Sequence, residues 1–174
     1  MPKTITHGLR LRRAGELLEG FLAEASGLGD KLGCLLVQLP PSLDFEAAVA
    51  GEFFADLRAR CSLPVACEPR HPSWFTPEVD DWLREIRVAR VAADPARVPE
   101  AGEPGGWRGM SYYRLHGSPR IYYSAYSEEY LDDLARRIRE DEAAGREVWC
   151  IFDNTTLGAA TGNALALRSR LAQD

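Results

Sequence analysis

A chain of 174 residues, 45% hydrophobic and 27% charged, is the size of one domain and can bury a substantial core. It has no run of about 18 apolar residues, which argues against a transmembrane helix. Its net charge of −5 leaves no electrostatic footprint for nucleic acid.

The first residues, Met1-Pro2-Lys3-Thr4-Ile5-Thr6-His7, lack the apolar core of a signal peptide, so a cytoplasmic protein is expected, with neither membrane nor nucleic acid as partner. Leu11 to Glu24 carries Leu17, Leu18, Phe21 and Leu22 at helical spacing and stops near Gly27 and Gly29. Cys34 to Leu39 reads as a buried strand halted by Pro40 and Pro41. Asp44 to Arg60 reads as a helix with Phe45, Val49, Phe53 and Leu57 inward, and Val65 to Glu68 as the next strand. Thr76 suits an N-cap with Pro77 at the first helical position, opening a helix to Glu85.

Val88 to Ala92 reads as a short strand ending at Asp94, and the Pro- and Gly-rich stretch from Pro95 to Gly109 as a long loop. Tyr112 to Gly117 is a strand and turn. Ser127 caps a helix that begins acidic, at Glu128 and Glu129, and ends basic, at Arg136, Arg137 and Arg139. Val148 to Phe152 is the last strand and Gly158 to Leu171 the last helix. Strands that alternate with helices imply an α/β fold with a mostly parallel sheet. Cys34, Cys61, Cys67 and Cys150 show neither C-x-x-C nor a Cys/His cluster, which argues against zinc; Cys34, Cys67 and Cys150 read as small core hydrophobes.

Each strand ends in polar groups: Gln38 on the first, Glu68, Arg70 and His71 on the second, Asp94 on the third. The fourth ends at Arg114 and His116, the fifth at Asp153 and Asn154. Parallel strands present their C-terminal ends on one side, so these groups converge on one rim, where α/β folds hold their sites. Glu68 and Arg70 share a strand face by the period of two; they read equally as ligand groups or as an ion pair that ties down a strand end. Arg70 and Arg114 suit forked recognition of carboxylate or phosphate. Glu68, His71 and His116 are the candidate acid–base groups. Trp74, Tyr122 and Tyr123 suit an aromatic wall, with core filling the alternative for Trp74. A divalent ion on Glu68, Asp94, Asp153 and His116 has no supporting ligand spacing, so no metal ligand is assigned and no cofactor is indicated. Phosphate-loop, G-x-G-x-x-G and G-x-S-x-G motifs are absent.

Several of these stretches, in this order, resemble the DUF72 (YecE-like) family. They are Pro2 to His7, Leu36-Val37-Gln38-Leu39-Pro40-Pro41, Glu68-Pro69-Arg70-His71-Pro72-Ser73-Trp74, Tyr113-Arg114-Leu115-His116-Gly117, Tyr122 to Tyr126, Phe152-Asp153-Asn154-Thr155 and Asn163-Ala164-Leu165. The resemblance implies a (β/α)8 TIM barrel described as related to sugar isomerases, with a rim pocket holding Glu68, Arg70, His71, Arg114, His116 and Asn154. Pro69 departs from the family's usual apolar strand residue, and Asp153 from its usual Asn. Such a barrel takes roughly 250 residues. Residues 1–174 are therefore expected to be a single domain, N-terminally truncated relative to the family: a partial TIM barrel of about five βα units. The alternative is a five-stranded doubly wound sheet. The expected function is acid/base proton transfer on a small anionic or sugar-like metabolite, with a non-catalytic ligand-binding module or an inactive truncated barrel as the alternative. The open edge of the strand Cys34 to Leu39 is expected to permit self-association.

Overall fold

The computed structural model of the protein describes residues 1–172. Five parallel strand positions follow one another in space as in sequence. β1 (Leu35–Gln38) pairs with β2 (Val65–Glu68), with Gln38 opposite Glu68. The run expected as one strand near residues 88–94 carries two pairings. Its first part, β3 (Val88–Arg90), joins β2, and its second, β4 (Ala92–Asp94), joins the strand Met110–Leu115. Between them the Val91 N–H donates to the Cys67 carbonyl at 2.9 Å, so the chain stays extended through the handover.

The loop expected at residues 95–109 is more ordered than its Pro and Gly content suggests. It holds a tight helical turn at Pro99–Gly102 and β5 (Gly105–Gly106), antiparallel to β3. Arg90 supplies the order. Its Nε donates to Asp80 Oδ1 at 3.0 Å and its Nη1 to the Glu100 carbonyl at 2.6 Å, while the Gly106 N–H donates to Asp80 Oδ1 at 2.8 Å. Gly106 has φ +62°, and a Cβ there would meet the Val88 carbonyl at 2.5 Å, so no other residue fits without a shift. The Met110–Leu115 strand is β6, and it pairs with β7 (Glu147–Phe152).

Three of the five helices begin later or end later than the sequence pattern suggests. α1 spans Gly15–Ser26, because Leu11 and Arg13 have positive φ and turn the chain first. α2 spans Ala47–Arg60, after an extended Glu46. α3 (Pro77–Glu85) opens as expected, with Thr76 Oγ1 accepting from the Val79 N–H at 3.4 Å. α4 (Glu128–Ala143) is capped by Ser127, whose Oγ accepts from the Tyr130 N–H at 3.2 Å. It does not end at the basic cluster. Ile138 and Asp141 are buried and carry the helix a further turn, so Arg136, Arg137 and Arg139 sit in mid-helix and the last turn has no basic residue. α5 (Ala159–Leu171) follows Gly158, which is left-handed at φ +80°.

Strand parity sorts the core into an outer and an inner side. Leu35, Val37, Val65, Cys67 and Val88 pack outward against Leu18 of α1, Phe53, Phe54 and Leu57 of α2 and Leu83 of α3. Ala92, Tyr113, Leu115 and Phe152 pack outward against Leu131, Leu134 and Ile138 of α4 and Leu167 of α5. The opposite face gathers Ala66, Ala89, Val91, Met110 and Tyr112 with Cys34, Leu36, Ala93 and Trp149, a cluster built from strands rather than helices. A doubly wound sheet needs helices over both faces. The arrangement instead matches a partial TIM-barrel-like α/β fold with no closed barrel. At its two edges, the Met1 amino group donates to the Leu36 carbonyl of β1 at 3.0 Å, and the Trp149 indole of β7 lies over Gly33, where a Cβ would meet Cζ2 at 2.4 Å.

Cys34, Cys61, Cys67 and Cys150 are unpaired. Burial pushes the Cys34 thiol up to about 11 and the Cys150 thiol to about 12, and pushes Cys67 up further, so these behave as apolar filling. Among the described residues no helix is long and apolar enough to cross a membrane.

Candidate functional site

The parity that fills the inner face also selects which strand-end groups meet. Gln38 continues the inward row Cys34–Leu36, Glu68 the row of Ala66, and Arg114 and His116 the row Met110–Tyr112. Asp153 follows Trp149 and Ile151. All five reach the C-terminal end of the sheet on its helix-free side and bond to one another there.

Glu68, 1% exposed, is the hub. Arg70 directs Nε at Glu68 Oε1 at 2.9 Å, and its Nη2 lies 2.8 Å from the same oxygen. Arg114 Nη1 donates to Glu68 Oε2 and to Gln38 Oε1, each at 2.6 Å, and its Nη2 donates to Asp153 Oδ2 at 2.9 Å. Asp153 Oδ2 also accepts from His116 Nδ1 at 3.1 Å. A carboxylate can only accept, so this contact places a proton on Nδ1. Nε2 lies 3.5 Å from Glu68 Oε1, is buried, and makes no hydrogen bond.

Two carboxylates thus face two guanidiniums. Burial alone favours the neutral form of Glu68, but His116 and the guanidiniums of Arg114 and Arg70 outweigh it and hold the carboxyl at about 2. Burial likewise opposes the charge on Arg114, and Glu68 and Asp153 more than restore it. One layer below, Tyr112 is pushed up to about 12, chiefly by burial, and stays a neutral phenol.

Glu68, Arg70 and His116 of this network line a cleft of about 260 Å³, together with Arg97, Pro95, Ile121 and Tyr122. Tyr122, at φ +70°, stands edge-on to the His116 ring with centroids 5.8 Å apart, and its N–H donates to the His116 carbonyl. His7, on the one-turn helix Thr4–Gly8, does not line the cleft; burial, Lys3 and Arg70 together lower its pKa.

Several expected residues lie elsewhere. Asp94 and Asn154 end their strands on the outward parity. Asp94 Oδ2 accepts from the Tyr126 hydroxyl at 2.7 Å, and Asn154 Nδ2 donates to the Ser124 carbonyl and to Asn163 Oδ1, both at 2.9 Å. His71 Nδ1 is 2.8 Å from Ser73 Oγ and accepts from the Ser73 N–H, fixing the turn Pro72–Trp74. Trp74 is core: its Nε1 donates to the Leu43 carbonyl at 2.9 Å and its ring meets Phe45 edge-on. Tyr123 sits under the Arg120 guanidinium, 3.7 Å from its ring centroid, and does not line the cleft. With Asp94 turned away, the conceived divalent-ion set does not assemble. Among the described residues no three His, Cys, Asp or Glu side chains are grouped to hold a metal ion.

The sequence reading missed Arg97 and Ile121. Arg97 lies in the Pro- and Gly-rich stretch, which has no periodicity to place it.

The family described as "protein of unknown function DUF72" matches residues 1–174. The chain belongs to the DUF72 family. A crystal structure of a DUF72 family protein from Thermotoga maritima MSB8 superimposes with a TM-score of 0.81 at 26% identity, covering 98% of this chain and 71% of that one. Two structures of a DUF72 family protein from Enterococcus faecalis V583 give TM-scores of 0.78 and 0.76 at 20% and 23% identity, covering 68% and 69% of those chains. No curated protein matches the chain. In DUF72 terms, the inward rim of this chain carries Gln38, Glu68, Arg70, Arg114, His116 and Asp153.

Proposed function

We propose that the cleft binds a small anionic or polyhydroxylated metabolite and moves a proton on it, with Nε2 of His116 as the accepting and donating atom. The observation that carries this reading is Nε2 of His116, which is buried beside the cleft and has no hydrogen-bond partner among the described residues. A buried polar atom left unpaired costs about 1–3 kcal/mol, and a ligand group supplies the missing partner.

The surrounding groups fit that role. Asp153 is a positioning residue that fixes the Nδ1–H tautomer and faces the imidazolium once Nε2 has taken a proton. Glu68 lies 3.5 Å from Nε2 and stays ionised, so its part is to stabilise the same charge rather than to donate a proton at neutral pH. Arg114 holds both carboxylates in place. The resemblance to sugar-isomerase-related barrels supports a polyhydroxylated ligand, and the unpaired cysteines are compatible with a cytoplasmic setting.

The test is proton exchange. The chain is incubated in D2O with a panel of phosphorylated and free aldoses, ketoses and hydroxy acids, and deuterium incorporation at carbon is followed by NMR. The reading expects exchange on at least one compound, falling by roughly 10²-fold or more in His116→Gln. Binding of panel compounds without exchange in any of them would instead favour a non-catalytic ligand-binding module.

A further inference from the structure

We infer that Arg97, together with the free Nη1 of Arg70, forms the subsite that takes the anionic group of the ligand, a carboxylate or a phosphate monoester. The inference rests on the proposal above for where the rest of the ligand lies.

The argument starts from which cations are already used. Arg114 is spent inside the protein, on Gln38, Glu68 and Asp153. It has the forked geometry that suits an anion, but its donors are taken up by the rim's own oxygens. Arg70 gives Nε and Nη2 to one oxygen of Glu68 and, among the described residues, makes no hydrogen bond through Nη1. Glu68 and Asp153 therefore balance Arg70 and Arg114.

Arg97 is the charge left over. It lines the same cleft and is exposed, and among the described residues it makes no hydrogen bond, ion pair or ring contact. One acidic neighbour in sequence is turned elsewhere: Glu103 pairs with Arg137 at 2.8 Å. The segment that carries Arg97 is nonetheless held, because Arg90 grips the Glu100 carbonyl from a buried position. An unmatched guanidinium on a fixed segment, lining a cleft that is also lined by a residue with an unpartnered buried imidazole nitrogen, favours a ligand that carries both a negative charge and a proton to exchange. The volume of about 260 Å³ restricts that ligand to a small metabolite.

The experiment is calorimetric titration of the full chain with inorganic phosphate and, separately, with acetate, at pH 7 and low salt. Wild type, Arg97→Gln, Arg97→Lys and His116→Gln are compared. Arg97 is exposed and unpaired, so its replacements are expected to fold. The inference expects wild type to bind at least one probe and Arg97→Gln to lose roughly tenfold or more in affinity, as for removal of a charged hydrogen-bond partner, with a smaller loss in Arg97→Lys. Binding of phosphate alone assigns a phosphate monoester, and binding of acetate alone a carboxylate. Binding of neither probe by wild type, or equal binding by Arg97→Gln, would overturn the inference. His116→Gln separates the two readings: anion binding that survives there while proton exchange is lost supports both, and anion binding without exchange in wild type retains only the subsite.

Discussion

At the scale of single residues, Glu68 decides what the rim can do. One buried carboxylate is shared by Arg70 and Arg114 and faces His116, so it stays ionised far below its usual value of 4.5. A carboxyl whose folded pKa is depressed contributes stability above its unfolded pKa and loses it as pH falls through the folded value. Wild type is therefore expected to lose stability between about pH 4.5 and about pH 2 through this group, and Glu68→Gln to lack that component of the acid transition. At pH 7 Glu68→Gln leaves two guanidiniums short of a counter-charge and should cost about 3 kcal/mol, read as a lower urea midpoint. Equal midpoints, or identical acid transitions, would show that the charge is not held as described. Glu68, Arg114 and His116 were legible in sequence because each lies where an apolar strand run gives way to a loop. Asp94 and Asn154 were not separable from them, because one-residue uncertainty in where a strand ends reverses the face its last side chain occupies.

At the scale of elements, local chemistry was readable wherever a side chain closes its own turn. Thr76 and Ser127 cap the helices they were expected to cap. Where a tertiary contact decides, the pattern failed. α4 outruns its basic cluster because Ile138 is buried, and the segment after Asp94 is ordered because Arg90 reaches it from β3. The strand edges carry a further consequence. Among the described residues β7 pairs only with β6, and Ile151 on it is 37% exposed. An unpaired edge with an apolar side chain invites another strand. We propose that the chain by itself self-associates through β7. Sedimentation velocity should show a concentration-dependent species that Ile151→Lys reduces. A monomer at every concentration would contradict it.

At the scale of the whole molecule, the order of strands and helices predicted a mostly parallel α/β sheet and the DUF72 resemblance a partial barrel, and the helix-free inner face bears the partial barrel out against the doubly wound alternative. The cleft was half legible. Its strand-borne wall followed from parity, whereas the wall with Arg97, Ile121 and Tyr122 comes from long connections whose course no periodic signal records. What joins the two walls is His116, and the account stands or falls on the state of its ring. The most direct measurement is nitrogen-15 NMR of the His116 imidazole, assigned with His116→Gln. The account predicts a proton held on Nδ1 by Asp153, with the Nε2 resonance changing when a panel compound that undergoes exchange is added. A ring with its proton on Nε2 and none on Nδ1, or an Nε2 signal indifferent to such a compound, would contradict it.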